Sequence, residues 1–122
     1  MASISITERR VDDDVTILEL DGRLVLEEGE IPLRDCVDRL VAEGHNRIVL
    51  DLRRVTRLDS AGIGMIVCKY MTALRRGGAL KLLHPTVKAE ELLQITRLFT
   101  VFEVFESEAD AVRSFGPPDP RA

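Results

Sequence analysis

The stretch DSAGIG, residues 59–64, decides the fold of this chain. It follows an apolar run, residues 48–52, whose composition is typical of a buried strand. Two glycines, Gly62 and Gly64, therefore stand in the first turns of a helix, where each costs about 1 kcal/mol relative to alanine. The helix itself is indicated by apolar residues at spacings of three and four, which are Ile63, Ile66, Val67, Tyr70 and Leu74.

Two explanations for these glycines stay open at the level of sequence. Bare backbone beside Ser60, at the positive end of a helix dipole, would let a partner or a phosphate group come close. Tight packing of the helix against the sheet also favours glycine. The spacing alone supports both explanations equally.

Composition and charge restrict the class of protein. The 122 residues, 45% of them apolar and 31% charged, are typical of one globular domain. A net charge of −4 argues against nucleic-acid or membrane-surface partners. Three arginines, Arg53, Arg54 and Arg57, form a small basic cluster between Asp51 and Asp59. We interpret this cluster as a solvated loop or rim rather than a phosphate-binding patch.

Targeting signals and metal-binding patterns are not evident in the sequence. The chain has no signal-peptide core and no run of about 20 apolar residues, so we expect a cytoplasmic protein without membrane insertion. Cys36 and Cys68 fall on apolar faces of predicted helices, which predicts two buried free thiols. Two distant histidines and no cysteine cluster argue against a zinc site. We expect no metal and no cofactor.

Periodicity and turn residues predict a single α/β domain over residues 1–116, followed by a disordered proline-rich tail at 117–122. The sheet is expected to be mixed, with an antiparallel N-terminal pair and parallel central strands, covered by about four helices. The predicted elements are strands at 3–7 and 15–20, a bend or short strand at 22–26, a helix from Pro32 to Gly44, a strand at 47–52, a helix from Ser60 to Gly77, a strand at 80–83, a helix from Thr86 to about 98, a strand at 101–105 and a short helix after Ser107.

Catalytic motifs fit this sequence poorly. The third glycine of a dinucleotide-binding fingerprint would fall at Val67. A nucleophile elbow would need glycine in place of Leu58, and His84 is the one plausible base for Ser60. A phosphoacceptor receiver domain needs an acidic pair at the end of its first strand, whereas residues 12–14 precede a strand. We therefore predict that the chain is not an enzyme.

Several segments of the sequence also resemble a known protein family, which says more about function than the motifs above. The segments RIVLDL at 47–52 and LDSAGIG at 58–64, with Val55 between them, resemble the STAS domain of bacterial anti-sigma factor antagonists. The segments LDGRL at 20–24, GGALKL at 77–82 and QITRLF at 94–99 are also similar to that family. The resemblance extends from about Ile4 to Phe115.

This resemblance implies a regulatory binding protein that is switched by phosphorylation of Ser60. In the family, an anti-sigma factor that is also an ATP-dependent serine kinase modifies this serine, and a serine phosphatase resets it. The unphosphorylated form binds the anti-sigma factor and frees the sigma factor. A monomer or weak dimer is expected. The residues implied in partner binding are Asp59, Ala61, Gly62, Ile63 and Gly64, together with Gly22, Arg23 and Leu24.

Two positions depart from the family pattern. Many members have serine or threonine where this chain has Ala61, and many have an aspartate where it has Val25. An alternative role therefore stays open, in which the domain is an assembly module of a transporter or a stress-signalling complex. Ser60 would then act only as a helix cap.

Overall fold

The computed structural model describes residues 4–12 and 14–117, which form one α/β domain. The predicted tail at 117–122 lies outside these residues, apart from Pro117. The elements in chain order are β1 (Ile4–Val11), β2 (Val15–Leu24), α1 (Glu30–Ala42), β3 (Arg47–Leu58), α2 (Ser60–Arg75), β4 (Ala79–Leu83), α3 (Val87–Ile95), a 3₁₀ turn (Leu98–Thr100), β5 (Val104–Phe105) and α4 (Glu108–Arg113).

The five strands form one mixed sheet in the order β1-β2-β3-β4-β5. β1 and β2 are antiparallel because only three residues join them, while each later pair is parallel and is joined through a helix. The predicted mixed α/β architecture is confirmed. The parallel strands end at the same edge of the sheet, so the first turn of α2 lies beside the end of β2.

The two faces of the sheet are covered unequally. The helices α1, α2 and α3 cover one face and bury the larger core, in which Leu18, Leu50 and Leu82 are fully enclosed. On the other face α4 covers only a smaller cluster, which includes Ile17 and Val49. Beyond this cluster the second face of β1–β3 is open and polar. The central strand β3 is therefore covered by helices on both faces over its first half, and on one face beyond it.

The strands β2 and β3 are longer than predicted. β3 continues to Leu58, six residues past the predicted end at 52, and β2 continues without interruption to Leu24. The arginines at 53, 54 and 57 therefore lie in a strand, not in a loop, although all three are exposed. The extension arises because the two strands pair with each other as far as Leu24 and Leu58, with two register shifts on the way.

The helix α2 departs from the predicted apolar stripe at one position. Ile63, Ile66, Val67 and Tyr70 pack in or against the core as the spacing predicts, but Leu74 is 48% exposed. Lys69, which is not part of that stripe, is buried. The ammonium group of Lys69 lies 2.5 Å from the carboxylate of Asp38 on α1, which compensates for its burial. Hydropathy along the sequence does not predict the burial of Lys69, because it carries no information about Asp38 on α1.

The prediction of two buried thiols is wrong for Cys68. Both cysteines are free, but Cys68 is exposed and Cys36 is half-buried. Cys68 precedes Lys69, so it lies beside the buried stripe of α2 rather than within it. Burial raises the pKa of the Cys36 thiol, and the nearby Glu8 carboxylate adds to this, while Arg39 acts in the opposite direction.

We predict that Cys68 reacts with a thiol reagent severalfold faster than Cys36 in the folded protein. Cys68 is accessible, whereas burial both shields Cys36 and reduces its thiolate fraction. Absorbance kinetics with an aromatic disulfide reagent would measure each thiol separately in the Cys36→Ser and Cys68→Ser variants. Equal rates in the two variants would contradict the placement of these side chains.

Candidate functional site: the start of helix α2

Ser60 is the first residue of α2 and lies at the edge of the sheet where the parallel strands end. It is exposed, and its hydroxyl has no protein partner among residues 4–12 and 14–117. The N-terminus of a helix carries a partial positive charge and unpaired N–H groups. The hydroxyl is therefore accessible in an environment that favours a negative charge.

Asp59 caps α2 and at the same time holds a neighbouring loop. One carboxylate oxygen accepts a hydrogen bond from the Gly62 N–H at 2.9 Å. The other accepts from the N–H of Leu26 at 3.1 Å, in the loop between β2 and α1. A single side chain thus fixes the start of the helix relative to this loop.

The same hydrogen bonds keep Asp59 ionised. Partial burial alone raises the pKa of this carboxyl group, but the backbone N–H groups of Gly62, Leu26 and Ala61 together outweigh it, so the pKa lies below its ordinary value. At neutral pH a negative charge therefore stands directly beside Ser60. Two backbone N–H groups hold this charge in place.

The two glycines of the motif have different roles. A Cβ atom on Gly62 would lie 2.1 Å from the carbonyl oxygen of Leu24 and 2.9 Å from Cδ1 of Leu58. Gly62 is thus required for the close packing of α2 on the sheet. A Cβ atom on Gly64 would meet no atom within 4 Å, and Gly64 is exposed. Each of the two explanations that the sequence left open therefore fits one glycine.

The residues that the family resemblance implied in partner binding come together around Ser60, but not all of them reach the surface. Leu24 and Ile63 are 0% and 4% exposed, so their side chains cannot meet a partner as predicted. They are buried because they form the contact between β2 and α2. Gly62 is buried with them. The surface itself is formed by Asp59, Ala61 and Gly64 on one side and by Gly22 and Arg23 on the other.

The loop at residues 25–29 is part of this surface and was missed by the sequence analysis, which took 22–26 as a bend or short strand. Leu26 is 61% exposed beside the site, held by its hydrogen bond to Asp59. Gly29 ends the loop, where a Cβ atom would lie 2.2 Å from the carbonyl oxygen of Arg23. A glycine directly before a helix was the available signal for such a close approach.

Within residues 4–12 and 14–117, no three histidine, cysteine, aspartate or glutamate side chains converge as metal ligands would. None of the helices in this part of the chain is both long enough and apolar enough to cross a membrane.

Comparison with known proteins assigns the family. The model of the STAS domain matches residues 7–111, which include every element from β2 to β5 and all of the site described above. The chain belongs to the STAS domain family.

Relatives of this STAS protein carry names from sigma-factor regulation. A candidate anti-sigma factor antagonist of Thermotoga maritima is 28% identical over 103 residues, which are 84% of this chain and 91% of the relative. The anti-sigma F factor antagonist of Paenibacillus polymyxa is 24% identical over 98 residues, which are 80% of this chain and 84% of the relative.

Solved structures show the same STAS fold. The crystal structure of a candidate anti-sigma factor antagonist from Thermotoga maritima has a TM-score of 0.83 at 26% identity, covering 92% of this chain and 95% of that one. The phosphorylated form of the Bacillus protein SpoIIAA has a TM-score of 0.71 at 18% identity, covering 90% and 98%. At 18% identity this likeness concerns the fold alone.

We predict opposite effects on stability when each glycine of the motif is changed to alanine. Gly62→Ala should lower the free energy of unfolding by about 2 kcal/mol or more, because the backbone of Leu24 cannot move away easily. Gly64→Ala should raise it by up to about 1 kcal/mol, because a helical position without neighbours gains propensity. Urea unfolding of the two variants measures both. Equal effects would contradict the packing described here.

We predict that the contribution of Asp59 to stability depends on pH. Asp59→Ala should lower the free energy of unfolding by about 2 kcal/mol at pH 7, because two backbone donors lose an acceptor. Since the pKa of Asp59 is lower in the folded state, its contribution is complete above about pH 4 and is lost as the pH falls through the folded pKa.

The matched control is Thr86→Ala, which removes the uncharged cap of α3. Its cost should be about 1 kcal/mol and should not change with pH. Urea unfolding at pH 7, 5 and 3 measures how the loss of unfolding free energy in each variant depends on pH. A cost for Asp59→Ala that stays constant down to pH 3 would contradict an ionised cap.

Proposed function

We propose that this STAS protein is an anti-sigma factor antagonist whose affinity for its partner is switched by phosphorylation of Ser60. Unphosphorylated, it binds an anti-sigma factor that is also a serine kinase, and a sigma factor is released. A serine phosphatase reverses the modification. The observation that carries this proposal is the exposed hydroxyl of Ser60 at the first position of α2, which has no partner within the part of the chain that the structure describes.

The names of relatives support this assignment. Both the Thermotoga maritima and the Paenibacillus polymyxa relatives are named for anti-sigma factor antagonism, and each alignment covers at least 80% of this chain. SpoIIAA, which shares the fold, has been solved in a phosphorylated and an unphosphorylated form. The fold is thus compatible with both states. In this role the chain acts in the cytoplasm by binding and catalyses no reaction of its own.

The electrostatics of the site explain how a phosphate would act. A phosphate on Ser60 adds a charge of about −1.5 to −2. The positive end of α2 stabilises such a charge by about 0.3 to 1 kcal/mol, while the ionised Asp59 beside it opposes. These two effects act in opposite directions within the domain. The phosphate therefore changes mainly the free energy of binding to a partner whose surface fits a neutral hydroxyl.

The frame around Ser60 is held independently of its hydroxyl. Gly62 packs against the backbone of Leu24, and Asp59 bonds the loop at Leu26, so neither contact changes when Ser60 is modified. The phosphorylated domain is therefore expected to stay folded. The signal is then a difference in affinity between two states of one surface rather than unfolding.

We predict that a cognate anti-sigma factor kinase and ATP add one phosphate to this protein, at Ser60. Each anti-sigma factor kinase of the source genome would be purified and incubated with the chain, and intact-mass and peptide mass spectrometry would locate the phosphate. Ser60→Ala should abolish the modification and keep the melting temperature of the parent protein.

The same partner tests the affinity switch. Ser60→Asp should raise the dissociation constant at least tenfold in titration calorimetry, which corresponds to about 1.4 kcal/mol. Gln94→Glu, an equal change of charge at an exposed position of α3, is the matched control and should bind as the parent does.

Two outcomes would overturn the proposal. Phosphate on Thr56 or Thr72 would mean that Ser60 is not the acceptor. Absence of phosphate from every kinase tested, together with unchanged binding by Ser60→Asp, would favour the assembly module of a transporter or stress-signalling complex.

A further inference from the structure

Four exposed arginines lie together where β2 and β3 end, and we call them the arginine ridge: Arg23, Arg53, Arg54 and Arg57. The pairing of β3 with β4 stops at Asp51, and the described part of β1 reaches only as far as Gly22. Beyond these points the two strands form a ribbon. The arginines therefore stand on an ordered backbone and not on a solvated loop.

The charges of the ridge are only partly neutralised within the domain, where Arg53 also interacts electrostatically with Glu108. Within the described residues, Arg53 and Arg57 have no acidic side chain within 4.0 Å, and Arg54 lies 3.8 Å from a carboxylate oxygen of Asp21, with both side chains more than half exposed. Arg23 is paired with Glu28 at 3.1 Å. Pairs of this kind contribute little to stability.

The register of β2 and β3 places two positive charges opposite each other, which lowers the stability of this ribbon. Arg23 and Arg57 are direct partners in the ladder between β2 and β3. Like charges in this arrangement repel, at a cost of a few tenths of a kcal/mol or more. The facing pair of Arg23 and Arg57 gives the fold no stability, which is consistent with guanidinium groups that meet carboxylates outside the chain.

Acidic groups next to the ridge restrict the kind of partner. Glu19, Asp21 and Asp51 line a shallow cavity of about 250 Å³ on the open face of the sheet, together with Arg53 and Arg54. A nucleic-acid backbone laid across this face would run from the arginines onto these carboxylates. The net charge of −4 disfavours it as well. A protein surface with a local group of carboxylates fits better.

The ridge is also close to the site at Ser60. Arg57 precedes Ser60 by three residues, so an extended backbone places the two within about 10 Å. The ribbon ends at the pair Leu24 and Leu58, both of which contact Gly62 in the first turn of α2. A protein that covers Ser60 would reach the ridge with the adjoining part of its surface.

We propose that the arginine ridge is a second contact surface, which binds carboxylates on the same protein partner that docks at Ser60. This inference rests on the proposed function and names the chemistry of the partner. Guanidinium groups bind carboxylates through paired hydrogen bonds, and a local excess of positive charge accelerates encounter with an acidic surface. The ridge supplies attraction, while Ser60 supplies the switch.

The test uses two double variants with equal changes in charge. Arg54→Gln with Arg57→Gln removes two charges from the ridge, and Arg75→Gln with Arg76→Gln removes two from exposed positions at the other end of α2. Titration calorimetry would be carried out with the anti-sigma factor kinase that modifies Ser60, from 50 to 300 mM NaCl.

We expect the ridge variant to raise the dissociation constant at least tenfold at 50 mM NaCl and to weaken its salt dependence, while the control variant changes it less than twofold. Equal weakening in both variants would indicate net charge alone and would overturn the proposal. Unchanged binding by the ridge variant would overturn it as well. Tighter binding of a DNA or RNA oligonucleotide than of the kinase, lost in the ridge variant, would assign the ridge to nucleic acid instead.

A second measurement remains informative if no kinase modifies Ser60, in which case the proposed function fails first. Poly-L-glutamate of about 20 residues would be titrated into the protein labelled with ¹⁵N. The amide chemical shifts of the protein would be followed by NMR spectroscopy. Shifts confined to the ends of β2 and β3, and absent from the ridge variant, would support an acid-binding surface. Shifts of equal size at Arg75 and Arg76, or none at all, would overturn it.

Discussion

The first turn of α2 approaches the end of β2 so closely that no side chain fits between them. At Gly62 the carbonyl oxygen of Leu24 occupies the place of a Cβ atom. This contact sets the position of the helix start, and Asp59 extends it to the following loop through Leu26. Ser60, at the first position of the helix that this contact fixes, is exposed at the surface.

The periodic and local features of this structure could be predicted from the sequence. The apolar run before Asp59 and the helical spacing after it specify a strand and a helix. The cap of α2 is Asp59, one residue before the serine that the sequence suggests for this role. The caps of α3 and α4, Thr86 and Ser107, are as predicted. Such signals act within a few residues and need no knowledge of the rest of the fold.

Features that depend on distant partners could not be predicted in this way. The RRVTR segment at 53–57 lacks the alternation of a strand, and it becomes one because β2 continues beside it. Lys69 is buried because Asp38 stands on the neighbouring helix, and the same placement leaves Cys68 outside the buried stripe. At the candidate site the resemblance implies a run of neighbouring residues without regard to their burial. It could not distinguish Gly64, which is open, from Ile63, which is enclosed.

Arg47, the first residue of β3, has a further consequence for how this protein can be handled. Its guanidinium group binds Asp14 and the carbonyl oxygens of Gly116 and Pro117, so the last described residues lie at the pole where the parallel strands begin. Ile4, in contrast, is paired with Gly22 at the opposite pole, near Ser60. A fluorophore or an immobilisation anchor attached after Pro117 would therefore leave the start of α2 accessible. The same group attached before Ile4 would stand close to Ser60 and could block access to it sterically.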